Sequence, residues 1–175
     1  LTARTDLRRK EADLSARLRE IEALLSAAQA LATSLDLHEI TRTVLDRAAE
    51  ITGADFCHLL LEDEKTGTLL MHTTTDLLGG MSQGSPVDIS SGVTGWVATN
   101  RQALLVGDVQ KDPRYVPWRQ ETASELAVPL LDGRNLLGVL NLESSRLQAF
   151  DSYDMEIARA LAGLITAAVK NARLY

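Results

Sequence analysis

Cysteine is almost missing from this sequence. Cys57 is the one thiol in 175 residues, so the chain can form neither an internal disulfide nor a cysteine-rich metal site. A reducing, cytoplasmic setting is the expectation. Aromatic residues make up 4% and there are four prolines. No apolar run approaches the ~20 residues of a membrane span, so this fragment is expected to carry no membrane segment. Basic residues are outnumbered, 18 against 24, leaving a net charge of −6 and a pI near 5.1. That balance lacks the electrostatic footprint of a nucleic-acid binder. With 45% hydrophobic and 24% charged residues, the composition is that of an ordinary folded domain with room for one appended element. The chain opens on Leu1 and closes on Tyr175 within a helical pattern, which suggests a piece of a longer polypeptide.

What is present begins with a helix. Leu7, Leu14, Ile21, Ala28 and Leu35 recur every seven residues, with Leu18, Leu25 and Ala32 four after each of the later ones. This is the a/d seam of a coiled coil, interrupted where Arg4 and Glu11 fall on the second series. A stripe this narrow suits another helix, so residues 1–35 are read as a dimerising signalling helix. Asp36 and Glu39 then have capping-box spacing, and Ile40, Val44, Leu45, Ala48 and Ile51 mark the buried face of a second helix that stops at Gly53.

Two strands follow, "ADFCHLLLED" and "TGTLLMHTTT", then a glycine-rich loop over 77–86, a short strand at "PVDIS" and a short helix at "GVTGWVATNRQ" opened by Ser90 and Ser91. "ALLVGDV" is extended and "QKDPRYVPW" irregular. "SELAVPLLDGRNLLGVLNLES" is a hairpin turning at Asp132-Gly133-Arg134-Asn135. The last helix runs over 152–175 with Asp151 as cap, and its Leu161, Leu164 and Ala168 extend a second candidate dimer seam. Tight turns between neighbouring strands give a mainly antiparallel sheet, and helices from both chain ends can share one of its faces: an α+β fold over 36–175.

Alternation divides each strand into two sets. Cys57, Leu59 and Leu61 are apolar, as are Leu126, Val128 and Leu130, and Leu136, Gly138, Leu140 and Leu142. The opposite sets mix in polar residues: Phe56, His58 and Leu60; Glu125, Ala127 and Pro129; Leu137, Val139, Asn141 and Glu143. The apolar sets belong under the terminal helices. The mixed sets must meet residues 77–123, and buried polar groups there need a partner in water, loop backbone or a ligand.

Taken in order, "LATSLDLHEITRTVLDRAAEITGADFCHLLLED", "SGVTGWVATNRQALLVGDVQKDPRY" and "SELAVPLLDGRNLLGVLNLES" followed by "FDSYDMEIARALAGLITAAVKNARLY" resemble a GAF domain, a small-molecule sensor module related to the PAS fold. The resemblance implies a five- or six-stranded antiparallel sheet, terminal helices on one face, and a cavity roofed by loops and short helices on the other. It further implies a non-enzymatic regulatory domain that signals through a parallel homodimer to an effector of the same polypeptide, such as a histidine kinase or cyclic-dinucleotide enzyme. A closed module used only for dimerisation and relay is the alternative, and a haem or flavin sensor a lesser one.

Candidate ligand-binding residues are Phe56, His58, His72, Thr74, Trp96, Asp108, Tyr115, Trp118, Glu125, Asn141 and Glu143. Trp96, Tyr115 and Trp118 are three of the seven aromatics and suit a planar ligand. His58 or His72 could hold a haem iron. Leu7, Leu14, Leu18, Ile21, Leu25, Leu161, Leu164 and Ala168 are the candidate dimer contacts. No cofactor is required by this reading, and no metal site is proposed. Cys57-His58 does not match the position at which bilin-binding relatives carry their cysteine. A lone Cys57 lacks the second thiol that methionine-sulfoxide-reducing relatives use. Asn100-Arg101 only partly matches the cyclic-nucleotide signature, whose later Asp-Glu pair is missing.

Overall fold

The computed structural model describes residues 2–33, 36–76 and 82–174. Helix α1 spans Thr2–Thr33 and α2 spans Leu37–Thr52. Strands β1 (Phe56–Glu62), β2 (Leu69–Thr74) and β3 (Pro86–Val87) follow, then α3 (Gly92–Asn100), β4 (Leu104–Val106), β5 (Ser124–Asp132), β6 (Asn135–Ser144) and α4 (Ser152–Leu174). A single 3-10 turn at Val109–Lys111 leads from β4 into the long connection before β5. The six strands lie in the order β3-β2-β1-β6-β5-β4, each antiparallel to its neighbours.

The helix ends are set by local chemistry. Asp36 Oδ1 accepts from the His38 amide at 2.8 Å, and Gly53 closes α2 at φ +69°, a left-handed turn that glycine adopts without Cβ strain. At α4, Asp151 Oδ1 accepts from the amides of Tyr153 and Asp154, and Asp154 Oδ2 accepts from the Asp151 amide at 2.9 Å. That is a reciprocal capping box. Ser91 caps α3 without a side-chain bond of its own; its hydroxyl donates to Asp88 instead.

Two apolar layers flank the sheet. Beneath it, Val44, Leu45 and Ala48 of α2 and Ile157, Leu161, Ile165 and Ala168 of α4 pack on Cys57, Leu59, Leu126, Val128, Leu140 and Leu142. Above it, Val93, Val97 and Ala98 of α3, with Val106 and Val109, pack on Leu60, Met71, Ala127 and Val139. The side-chain sets expected from alternation hold on β1 and β5. They fail at the start of β6, where Leu136 joins the upper layer and Leu137 the lower. Leu131 pairs with Leu136 while Leu130 pairs with Gly138, so Leu137 is an extra residue in the ladder and the two leucines exchange faces.

The two terminal helices differ in where their candidate dimer contacts lie. Leu161 and Ala168 are enclosed in the lower core and Leu164 packs against it, so α4 spends these residues within its own domain. On α1, Ala16 is buried and Asp13 accepts from the Tyr153 hydroxyl at 3.0 Å, which ties this helix to the start of α4. Leu7, Leu14, Leu18 and Ile21 stay exposed. The side chain of Leu25 and the whole of Leu35 lie outside the described residues.

Candidate functional site

The site is built by strand register. One row across the sheet joins Phe56 on β1, Glu143 on β6 and Glu125 on β5; the next joins His58, Asn141 and Ala127. Directly opposed residues put their Cβ atoms within about 5.5 Å. Two carboxyls, an amide and an imidazole therefore share one patch of the upper face. The connection between the 3-10 turn and β5 closes over them, leaving His58, Glu125, Asn141 and Glu143 each no more than 5% exposed.

Their contacts form one network. Glu143 accepts from the Thr122 hydroxyl at 2.6 Å and from Asn141 Nδ2 at 3.1 Å, and its Oε1 lies 3.6 Å from His58 Nε2. The other imidazole nitrogen, Nδ1, is 2.8 Å from the Thr74 hydroxyl. Trp118 stands edge-on to the His58 ring, with centroids 6.1 Å apart. Tyr115 donates its hydroxyl to the Arg119 carbonyl at 3.2 Å. Arg119 itself lies with its guanidinium carbon 3.9 Å from the Phe56 ring centroid, and its Nη1 engages the Asp76 carboxylate. Among the described residues, Asn141 Oδ1 is buried with no hydrogen-bond donor facing it.

Burial sets the protonation states. Loss of water pushes the Glu125 carboxyl well above the usual carboxylate range, and the neighbouring Glu143 pushes it further, while a hydrogen bond from Asn141 opposes the rise. Glu143 is raised for the same first reason, against the bond from Thr122 and the Arg119 charge. Burial lowers His58 to about 4, with Asp76 opposing and Arg119 assisting. The imidazole is therefore neutral at neutral pH, and burial favours the neutral form of both acids.

Eight of the residues singled out from sequence meet here: Phe56, His58, Thr74, Tyr115, Trp118, Glu125, Asn141 and Glu143. Three do not. His72 turns toward α2, where its Nδ1 is 2.7 Å from Thr73 Oγ1 and its ring is 5.8 Å from that of His38. The cause is a second bulge: Leu59 pairs with Thr73 and Leu60 with Met71, so His72 falls out of the alternation. Asp108 caps the 3-10 turn through the Gln110 amide and pairs with Lys111 at 2.9 Å. Trp96 lines a separate cleft of about 380 Å³ with Ser91, Thr99, Pro113 and Arg114, whose guanidinium sits 5.1 Å from the Trp96 ring. Asp76, Arg119 and Thr122 belong to the site and escaped sequence reasoning. Nothing in their spacing marks them, since they lie on irregular chain whose path only the closed structure defines. Cys57 is on the lower face, fully buried, and desolvation drives its thiol upward, away from reactivity.

Comparison with known proteins gives the same architecture. The family model described as "GAF domain" matches residues 34–170. The chain is 35% identical over 81 residues to the free methionine-R-sulfoxide reductase of Saccharomyces cerevisiae, an alignment covering 45% of this chain and 44% of that protein. It is 24% identical over 161 residues to the formate hydrogenlyase transcriptional activator of Salmonella typhimurium, covering 87% of this chain and 23% of the activator. The chain thus spans under half the length of either relative. The GAF domain of an Acinetobacter phosphoenolpyruvate-protein phosphotransferase superposes with a TM-score of 0.80 at 20% identity, over 88% of this chain and 94% of that one. With a six-stranded antiparallel sheet, helices packed below it and a roofed polar patch above, the chain belongs to the GAF domain family.

Proposed function

We propose that this chain is a regulatory sensor domain that binds a small, amine-bearing molecule against Glu125, Asn141 and Glu143 and passes its occupancy to an effector through the terminal helices. The observation that carries this reading is the company of two buried carboxyls and one amide oxygen lacking a donor. All three accept hydrogen bonds, and an ammonium offers three donors and the charge that would let both acids ionise. Trp118, Tyr115 and Phe56 supply apolar walls for the rest of such a molecule. The reductase to which part of the chain is similar is named for a free amino acid, and an amino acid carries this group. The similarity to a transcriptional activator supports placement in a signalling polypeptide. A binding module is favoured over a reductase because Cys57, the one thiol, is sealed on the opposite side of the sheet.

The test is a thermal-shift panel of amino acids, methionine sulfoxide included, beside their deaminated analogues. A ligand at a hundredfold excess over Kd stabilises by about 2.7 kcal/mol. Shifts confined to amine-bearing compounds, and lost in Glu143→Gln, are expected. Shifts given only by the deaminated acids, or by no compound, overturn the reading and favour a closed relay module.

A further inference from the structure

The sheet is left open at one corner. Pro129 of β5 has no amide N–H to offer a neighbouring strand, and the ladder between β4 and β5 ends at the Leu104–Ala127 pair. Residues 101–103, which join α3 to β4, run unpaired. A cleft of about 460 Å³ lies between them, the end of β5 and one side of α4. Ala103, Pro129 and Leu131 give it apolar walls, and Arg101 and Arg159 bring it two guanidinium groups. We propose that this cleft is a second binding site, separate from the roofed polar patch, for a small phosphomonoester.

Charge points to an anion. Among the described residues neither Arg101 nor Arg159 is ion-paired, and no acidic side chain lines the cleft. Acids are plentiful in this chain, 24 against 18 bases. At the Trp96 cleft, by contrast, Arg114 is neutralised by Asp112 at 2.5 Å. Arg101 is also held in place. Its backbone closes α3 at φ +56°, in the left-handed region that a residue with a Cβ seldom enters. Its Nε donates to the Arg134 carbonyl at 2.9 Å and its Nη1 to the Thr99 carbonyl at 3.2 Å. Those bonds fix the guanidinium in advance, which lowers the entropy cost of binding. Two guanidiniums match the charge of a phosphate dianion, and their planar forks suit its oxygens.

The floor of the cleft points the same way. Gly163 lies in the middle of α4, where glycine is the least favoured residue after proline. Packing within the domain does not demand it, since a Cβ built there meets nothing within 4 Å. Gly163 lines the cleft, so a larger side chain would occupy that space, and glycine keeps it open at a cost to the helix. The volume falls among those of small-molecule pockets and is more than a bare phosphate needs. The walls at Ala103, Pro129 and Leu131 therefore meet the organic body of an ester. Arg101 caps α3, which packs on the upper face of the sheet, and Arg159 rides on α4. An occupant would tie the roof of the polar patch to the C-terminal helix. The two sites share no residue, so this one stands whichever molecule the patch accepts.

The experiment uses the full 175-residue chain. Calorimetric titration at low salt takes phenyl phosphate, ribose 5-phosphate and adenosine monophosphate, beside phenol, ribose, adenosine and inorganic phosphate. At least one ester should bind with a dissociation constant below about 1 mM, about tenfold tighter than inorganic phosphate or its own parent alcohol. Arg159→Gln should weaken that binding about tenfold. Arg101→Asn should do the same, with a residue that tolerates left-handed backbone. Gly163→Leu should abolish binding while the domain melts no lower than wild type. Three results overturn the inference: no ester binds; inorganic phosphate or the parent alcohol binds equally well, an adventitious ion only in the first case; or ester binding survives Arg159→Gln and Gly163→Leu. So does a changed sedimenting mass of ligand-free Gly163→Leu, because the glycine would then serve contact with another chain. A failed amine screen leaves each of these results untouched.

Discussion

Glu125 and Glu143 stand directly opposite each other on neighbouring strands, both nearly sealed from water, on the roofed side of the sheet. Two like charges in adjacent buried positions oppose folding whenever both ionise. Burial holds both carboxyls above the usual range, the Glu143 charge adds to the rise at Glu125, and the pH response of the free domain follows from that direction.

An acid whose folded pKa exceeds its unfolded value binds more protons when folded. Its contribution to stability is complete below the ordinary glutamate value of 4.5 and is lost as pH rises through the raised folded value. The ligand-free domain should accordingly lose stability as pH rises above 4.5. Glu125→Gln should flatten that slope and raise the melting temperature at pH 8. A wild-type slope retained in Glu125→Gln would place the response elsewhere.

His58 gives the opposite slope at lower pH. Its imidazole goes from 6.5 unfolded to about 4 folded, so the unfolded chain binds the extra proton as pH falls between those values, and stability drops with it. The full effect is on the order of 3 kcal/mol. His58→Gln, which keeps a polar group near Thr74, should remove the acid-side loss. Urea titrations at pH 4.5 and 7 measure both variants on one scale.

Arg119 fastens the roof through Asp76 and the Phe56 ring. Replacing it with Met keeps the stem and removes the charge beside a buried carboxylate, a change that costs about 3 kcal/mol at comparable buried pairs. Trp118 rides on the same segment. In a Trp96→Phe background, acrylamide should quench Trp118 several-fold more strongly in Arg119→Met than with Arg119 intact. Equal quenching would show that the segment is held without the arginine.

Leu161 tests where α4 spends its apolar residues. Because this side chain is fully enclosed between the helices and the sheet, Leu161→Ala should destabilise by about 2–5 kcal/mol in chemical denaturation. The association state should stay unchanged. Loss of dimer with little loss of stability would restore the C-terminal seam.

Gly138 marks a close approach of two strands. A Cβ built there would overlap the Leu60 carbonyl oxygen, and neighbouring backbone cannot yield as a flexible side chain would. Gly138→Ala should cost about 1–3 kcal/mol, the range for overpacking, and urea denaturation checks it. A neutral change would mean that the Leu137 bulge absorbs the extra methyl.

Element order, the antiparallel hairpins, the caps at Asp36 and Asp151, and the division of most strands into an apolar and a mixed set were legible in the residues alone. These follow from local rules, because side-chain period and capping chemistry act over a few residues. The sequence also marked His58, Glu125, Asn141 and Glu143 as polar residues on covered positions. The departures from strict alternation emerged only in the folded chain. Single bulged residues, Leu137 and His72, shift a neighbour to the other face, and nothing in the local pattern announces them. The structure also decided which helix keeps its apolar stripe exposed, since α1 and α4 carry similar spacing and only packing against the sheet distinguishes them. Arg119, Thr122 and Asp76 reach the site from irregular chain, whose course is set by the long-range contacts that close the roof.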